Sequence, residues 1–369
     1  MLFLIGNSTN KMKLCFPIYI LQDFKLLTFP WISMVLLELL LYFVTLFFAF
    51  KCAFIIIQVR VFHKNLSALT VAMILQWLET VISKIISWPY ETGYWTLKGS
   101  PNSSFPNTTV RQWWTEEESE MIQILDFDLN YLLFISGFMK LHYAISMSNV
   151  LCVIAVERSL ASYFLNDYEK KSRFWIPITI VLVDQSFNFI VSYFFYLNYV
   201  PFFYMIIITG TPNVMAICLM IHSQNYNRKV TKTHEKYTSN YSLAARFQAK
   251  ENLKCFRMIK KILIAAFSIV VFGFFVAIAL FLNIFPQMDT LWNLCLLAVM
   301  SLPPLVICPA IIYSVDSFRN YPFLDCFFIK LKVGKRKVTS VPRKRSSTRS
   351  EDIQRETETY FNQLAASWT

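Results

Sequence analysis

The stretch PFFYMIIITGTPNVMAICLMI, residues 201–221, decides the fold. It contains no Asp, Glu, Lys or Arg, and a helix needs about 20 apolar residues at ~1.5 Å rise each to cross the hydrocarbon core of a bilayer. Six further apolar runs of similar length lie on either side of it. They extend roughly from Trp31 to Ile57, Leu66 to Trp88, Leu129 to Val156, Phe174 to Tyr196, Ile262 to Ile284 and Leu291 to Tyr313. Pro303, Pro304 and Pro309 break the last run, which a span tolerates where neighbouring helices satisfy the freed backbone groups.

Composition points the same way. The 369 residues would suffice for about two soluble domains, but 56% are hydrophobic and 16% charged, with 35 Phe against 7 Gly. Soluble domains run near 25% charged, and the mean hydropathy here is +0.45. Disorder, a collagen-like repeat and a disulfide-stapled module each need a polar, Gly-rich or Cys-dense chain and are excluded. A net charge of +12 would suit nucleic acid only if the basic residues shared one folded face, and here they sit between the apolar runs. The expected fold is an all-α membrane protein, a seven-transmembrane helix bundle.

Orientation follows from Lys and Arg, which concentrate in cytoplasmic segments near span ends. With the N-terminus outside, the inner segments hold two (Arg60, Lys64), four (Arg158 to Arg173), ten (Arg228 to Lys261) and eleven (from Ser314 on). The outer segments hold five: Lys11, Lys13, Lys25, Lys98 and Arg111. Three Asn-X-Ser/Thr glycosylation acceptors, at Asn7, Asn102 and Asn107, all fall outside in this arrangement. The apolar stretch from Leu14 to Leu21 has no small-residue cleavage site after it, so it reads as an outer segment and not a signal peptide. The chain therefore divides into an extracellular segment (1–30), a helix bundle (31–313) and a cytoplasmic tail (314–369), the tail beginning with a short membrane-surface helix and ending basic and disordered.

Cysteines give no disulfide framework: of the eight, only Cys15 and Cys295 face outward, and a bridge between them requires geometry that sequence does not supply. No Cys-His spacing suggests zinc, and no cofactor is expected. Cys326, beside the membrane, is a palmitoylation candidate. The first outer loop clusters Trp88, Tyr90, Tyr94, Trp95, Trp113 and Trp114, which suits an interfacial belt, with a ligand lid as the other reading.

Charges inside spans cost about 2.5–3.5 kcal/mol each on insertion scales and face the bundle interior. They are Glu38, Glu79, Lys84, Lys140, His142 and Asp184. Glu79, Lys84, Lys140, His142 and Asp184 are candidate ligand contacts, with a buried structural pair, Lys140 to Asp184 or Lys140 to Glu79, as the competing reading.

The third span ends Ile154-Ala155-Val156-Glu157-Arg158. An acid followed by Arg at this place resembles the Asp/Glu-Arg pair of G-protein-coupled receptors, although an ordinary inner anchor looks the same. Such an Arg can pair locally in a closed bundle and project into a cavity when the bundle opens. Two longer strings sharpen the match. ERSLASYFLNDYEKKSR, residues 157–173, and YSLAARFQAKENL, residues 241–253, resemble corresponding segments of the nematode serpentine receptor class epsilon (Sre) chemoreceptors. The likeness covers about Trp31 to Asp316. It implies a chemosensory receptor in the plasma membrane, in the cilia of sensory neurons, that binds a small extracellular chemical and signals to a heterotrimeric G protein. Ser159 after the pair, the lack of an outer Cys at the third span and the ending Cys308-Pro309-Ala310-Ile311-Ile312-Tyr313 depart from the rhodopsin-like pattern.

As a helix, Arg246, Lys250, Lys254, Arg257, Lys260 and Lys261 gather within an arc of about 120°, with Cys255, Met258, Ile259 and Ile262 largely opposite. Together with Glu157 and Arg158 they are the candidate G-protein contacts; a solvated anchor is the plainer alternative. Two other classes compete. A seven-span ligand-gated cation channel of the insect-odorant-receptor type would keep its N-terminus inside, and a small-molecule transporter would show paired halves with corresponding broken helices. No nucleophile, metal set or phosphate loop marks an enzyme.

Overall fold

The computed structural model describes residues 2–6, 11–17, 20–59, 61–98, 121–124, 127–164, 175–236, 243–282, 284 and 288–319. Helices dominate: α1 (Trp31–Gln58), α2 (Lys64–Leu75), α3 (Leu78–Glu91), α4 (Tyr131–Tyr163), α5 (Trp175–Tyr196), α6 (Phe202–Lys236), α7 (Leu243–Phe281), α8 (Asp289–Ser301), α9 (Pro303–Ser314) and the short α10 (Asp316–Arg319). Among the described residues five stretches are long and apolar enough to cross a bilayer: Trp31–Gln58, Lys64–Glu91, Asp128–Tyr163, Trp175–Tyr196 and Asn252–Leu280. The pair α8 and α9, bent by 45° at Leu302, makes a sixth if taken as one span. The uncharged stretch that opened the reading forms the first half of α6, where Val214, Met215, Ile217 and Ile221 project outward, exposed.

The helices overrun the apolar runs at their polar ends. α4 continues past Val156 to Tyr163, α6 past Ile221 to Lys236, and the basic loop segment is one 39-residue helix with the sixth apolar run. Hydrophobicity marks where a helix meets lipid, whereas Ala, Arg, Lys, Gln and Glu continue it into water at little cost. The expectation of an all-α chain needs correction. β1 (Leu2–Ile5), β2 (Met12–Cys15) and β3 (Ile122–Ile124) form a sheet of order β2-β1-β3, with β1 antiparallel to β2 and parallel to β3. Strands this short carry almost no periodicity, and one partner lies over a hundred residues away.

α4 is the central post, packed against α2, α3, α5, α6 and α7, while α9 packs against α1 and α7. Two breaks in the spans face each other. Between α2 and α3 stands Trp77, fully buried and stacked on Tyr42 with ring centroids 5.9 Å apart. Its Nε1–H donates to the Ser301 carbonyl at 2.6 Å, beside the Pro303-Pro304 break between α8 and α9. At this break Leu305 N–H donates to the Leu302 carbonyl at 3.0 Å and not back to Ser301, and the indole supplies Ser301 with a donor.

Candidate functional site

The half of the bundle that holds the C-terminal end of α3 contains a buried cluster of four opposed charges. Lys84 and Lys140 are each about one-twentieth exposed, Glu38 and Glu91 no more so. Lys84 Nζ lies 2.8 Å from Glu38 Oε1 and donates to Glu91 Oε2 at 2.7 Å; Lys140 Nζ donates to Glu91 Oε1 and to Ser87 Oγ, both at 2.9 Å. Ser87 Oγ donates in turn to Glu91 Oε1 at 2.7 Å. Neither expected partner of Lys140 is correct. Its carboxylate is Glu91, which the sequence reading left outside the second span because the apolar run stops at Trp88. The helix runs through Pro89, close to its end, and carries Glu91 two turns above Lys84 on the same face. Spacing of seven residues from Lys84 was the available signal.

Glu79 instead meets His142, whose Nδ1 lies 2.8 and 3.1 Å from the two carboxylate oxygens. Asp184 sits apart, accepting from Asn188 Nδ2 at 2.9 Å and Gln185 Nε2 at 3.2 Å. Asn188 accepts from Asn149 Nδ2 at 2.6 Å, and Gln185 exchanges bonds with Gln76, so this polar set ties α5 to α2 and α4. The five candidate ligand residues thus divide among three places, and Asp184 is remote from the Lys140 cluster. Below that cluster a cavity of about 10 Å³ is lined by Pro17, Thr80, Lys140, Tyr143, Leu297 and Ser301, room for about one water. Thr80 Oγ1 and Tyr143 OH, both buried, make no hydrogen bond among the described residues.

The other end of the bundle, at the C-terminal end of α4, carries a second network. Arg158 is fully buried and grips Glu157 through Nε and through Nη2, the latter at 2.6 Å. Its Nη1 donates to Asn252 Oδ1 of α7 at 2.9 Å. Asn252 Nδ2 donates to Ser162 Oγ at 3.2 Å and Asn227 Oδ1 at 3.3 Å, and Asn227 Nδ2 reaches Ser162 Oγ at 2.8 Å. α4, α6 and α7 are thereby locked at one level. Sequence reasoning missed Asn227 and Asn252, because an Asn inside a basic helix looks like surface. On α7, Lys254, Arg257, Lys260 and Lys261 are exposed while Cys255, Phe256, Met258 and Ile259 are buried. Arg246 and Lys250 lie on the same helix.

Cys15 and Cys295 are both free, Cys15 buried in the hydrophobic cluster around Phe16. Tyr90 is buried and packs edge-on to Trp95 with centroids 5.3 Å apart, whereas Trp95 and Tyr94 are themselves exposed. Asn7, Asn102, Asn107, Trp113, Trp114 and Cys326 lie outside the described residues. Of the tail, α10 is described, its Phe318 buried against Phe62 with centroids 6.1 Å apart.

A profile of the Sre G protein-coupled chemoreceptors matches residues 1–369. The chain belongs to this family. It is 37% identical to serpentine receptor class epsilon-45 of Caenorhabditis elegans over the full length of both chains. Class epsilon-38 and class epsilon-27 of the same organism are 27% and 29% identical, each over 98% of this chain and 99% and 98% of their own. This Sre receptor is therefore a chemosensory G-protein-coupled receptor and not an enzyme. The two facing helix breaks are a feature transporters also use, but family membership over the whole chain sets the class.

Proposed function

We propose that the receptor crosses the plasma membrane seven times, N-terminus outside and C-terminus cytoplasmic, with residues 1–30 extracellular, 31–313 the bundle and 314–369 the inner tail. Counting α6 as a span beside the five stretches and the bent α8–α9 pair gives seven. A small extracellular molecule enters from the end that holds the Lys84, Lys140 and Glu91 cluster, and a heterotrimeric G protein docks at the end that holds Arg158. The ciliary membrane of sensory neurons is the setting that family membership suggests.

One observation carries this reading: a fully buried Arg158 bonded across the inner mouth to Asn252 of α7. A buried cation needs partners. While Asn252 supplies one, α7 is held against α4 and the inner mouth is closed. When α7 swings out, Arg158 loses that partner, and a docked protein can supply the replacement. A ligand shifts the balance toward the open form by binding it better. The exposed Lys254, Arg257, Lys260 and Lys261 stripe lies on the moving helix and suits an acidic partner surface.

Hydrogen bonds to charged groups contribute about 1.5–3 kcal/mol, so Asn252→Leu is expected to raise ligand-free G-protein signalling by about one to two orders of magnitude at equal surface level. Asn252→Asp, which adds a charge facing Arg158, lowers it. Both are read as basal nucleotide exchange on co-expressed G proteins. Unchanged basal exchange in both variants would remove the latch from the mechanism.

A further inference from the structure

We infer that the N-terminal segment is a tethered lid, and that a ligand reaches the Lys140 compartment only when Phe16 lifts from its notch at Gly137. The inference rests on the receptor reading above and adds the device that admits ligand.

The notch is at Gly137, in the second turn of α4. A Cβ at that position would stand 2.2 Å from Phe16 Cε2 and 2.6 Å from two more ring atoms. No side chain shares that space with the ring, so glycine is the residue that lets Phe16 seat against α4. The ring is almost fully buried. It meets Phe3 and Phe134 edge-on, with centroids 5.0 and 6.0 Å away, and tilts against Tyr196 at 6.2 Å. Phe3, Leu14 and Cys15 of the same segment are buried in the same cluster, together with Leu141 and Ile145, which lie one and two turns further along α4. The segment is sunk into the bundle.

The next residue, Pro17, closes the cavity beneath. That cavity has Lys140 on one wall and the unbonded hydroxyls of Thr80 and Tyr143 on the others. Unsatisfied buried hydroxyls are costly, and the two residues that carry them line a compartment with room for about one water. A larger molecule enters only if Pro17 and Phe16 move. The residues that follow are pinned to the outer end of α3, where Gln22 N–H donates to the Tyr90 carbonyl at 2.8 Å and Asp23 N–H to the Glu91 carbonyl at 3.0 Å. Residues 2–6 and 11–17, together with Ile122–Ile124 paired to β1, can therefore swing as a unit about a fixed anchor that also carries the carboxylate of the charge cluster. The lid and the cluster are linked through Glu91.

Native Cys15 reports the lid. It is buried beside Phe16, and burial raises its thiol pKa above the ordinary value, so in the closed form it is both screened and little ionised. The probe is the membrane-impermeant methanethiosulfonate ethyltrimethylammonium, applied to intact cells without ligand, with Cys15→Ser subtracting labelling at other thiols. A second reporter, Thr80→Cys in the Cys15→Ser background, reads the compartment itself. Opening by Phe16→Ala, and independently by Gly137→Ala, is expected to label each reporter about tenfold faster than the seated segment allows, since labelling tracks the open fraction. Equal rates with and without either opening substitution would overturn the lid. Faster labelling of Cys15 with no change at Thr80→Cys would overturn its role as guard of the compartment. Labelling that appears only in permeabilised membranes would instead overturn the outer N-terminus, and the rate ratios measured there still decide the lid.

Discussion

Lys140 shows what a single residue contributes and how far its neighbours set its role. It shares Glu91 with Lys84, and Lys84 also holds Glu38, so the four charges cancel. Removing one partner of a buried pair costs about 3–5 kcal/mol because the other charge is left uncompensated. Lys140→Met is expected to cut the fraction of receptor reaching the cell surface severalfold. Lys140→Met with Glu91→Gln restores neutrality, leaves the Lys84–Glu38 pair intact and recovers most of that loss, whereas Lys140→Met with Asp184→Asn does not. Surface biotinylation separates these outcomes, and recovery by the Asp184 variant would show that the pairing is wrong. The charged residues themselves were legible in the sequence as costly and inward-facing. Their pairing was not, because mid-span depth ranks Asp184 and Glu79 as neighbours of Lys140, while the true partner sits beyond Pro89, after the apolar run has ended at Trp88 but before the helix ends.

At the scale of elements, the two broken spans matter most. Three prolines announce the kink in the seventh apolar run, yet nothing in the sequence says that the α2–α3 break stands opposite it. Trp77 connects them through one indole N–H. Trp77→Phe keeps the stack on Tyr42 but strands the Ser301 carbonyl, and an unsatisfied buried group costs about 1–3 kcal/mol. The detergent-solubilised receptor should therefore unfold a few degrees lower, with a much smaller effect from Trp292→Phe elsewhere on α8 as the comparison. Equal melting of Trp77→Phe and wild type would mean that this bond does not hold the breaks together. Extents of the elements follow the same logic. Apolar runs gave the starts of α1 and α5 to within a residue or two, because lipid demands hydrophobicity there, and missed the extensions of α4, α6 and α7, because a polar helix end has no comparable requirement.

For the whole molecule the proposed topology makes the plainest prediction. Glycosidase treatment is expected to shift the receptor's mobility in steps that disappear one at a time in Asn7→Gln, Asn102→Gln and Asn107→Gln, while a C-terminal tag stays protected from protease in sealed cells. An accessible tag with an unglycosylated N-terminus would invert the bundle and move the proposed G-protein face outside. What the sequence determined by itself was the solvent, the helical class and the family, since each depends on totals and local strings: 56% hydrophobic residues, runs long enough to span, and residues 157–173 and 241–253. Tertiary structure alone decided that Glu91 neutralises Lys140, that Asn252 latches Arg158, and that the N-terminal segment pairs with Ile122–Ile124 and drops Phe16 into the notch at Gly137. The reason is physical. Burial in lipid is dictated residue by residue along the chain, but hydrogen bonds, ion pairs and close packing depend on which atoms of distant segments come within a few ångströms, and no local pattern encodes that distance.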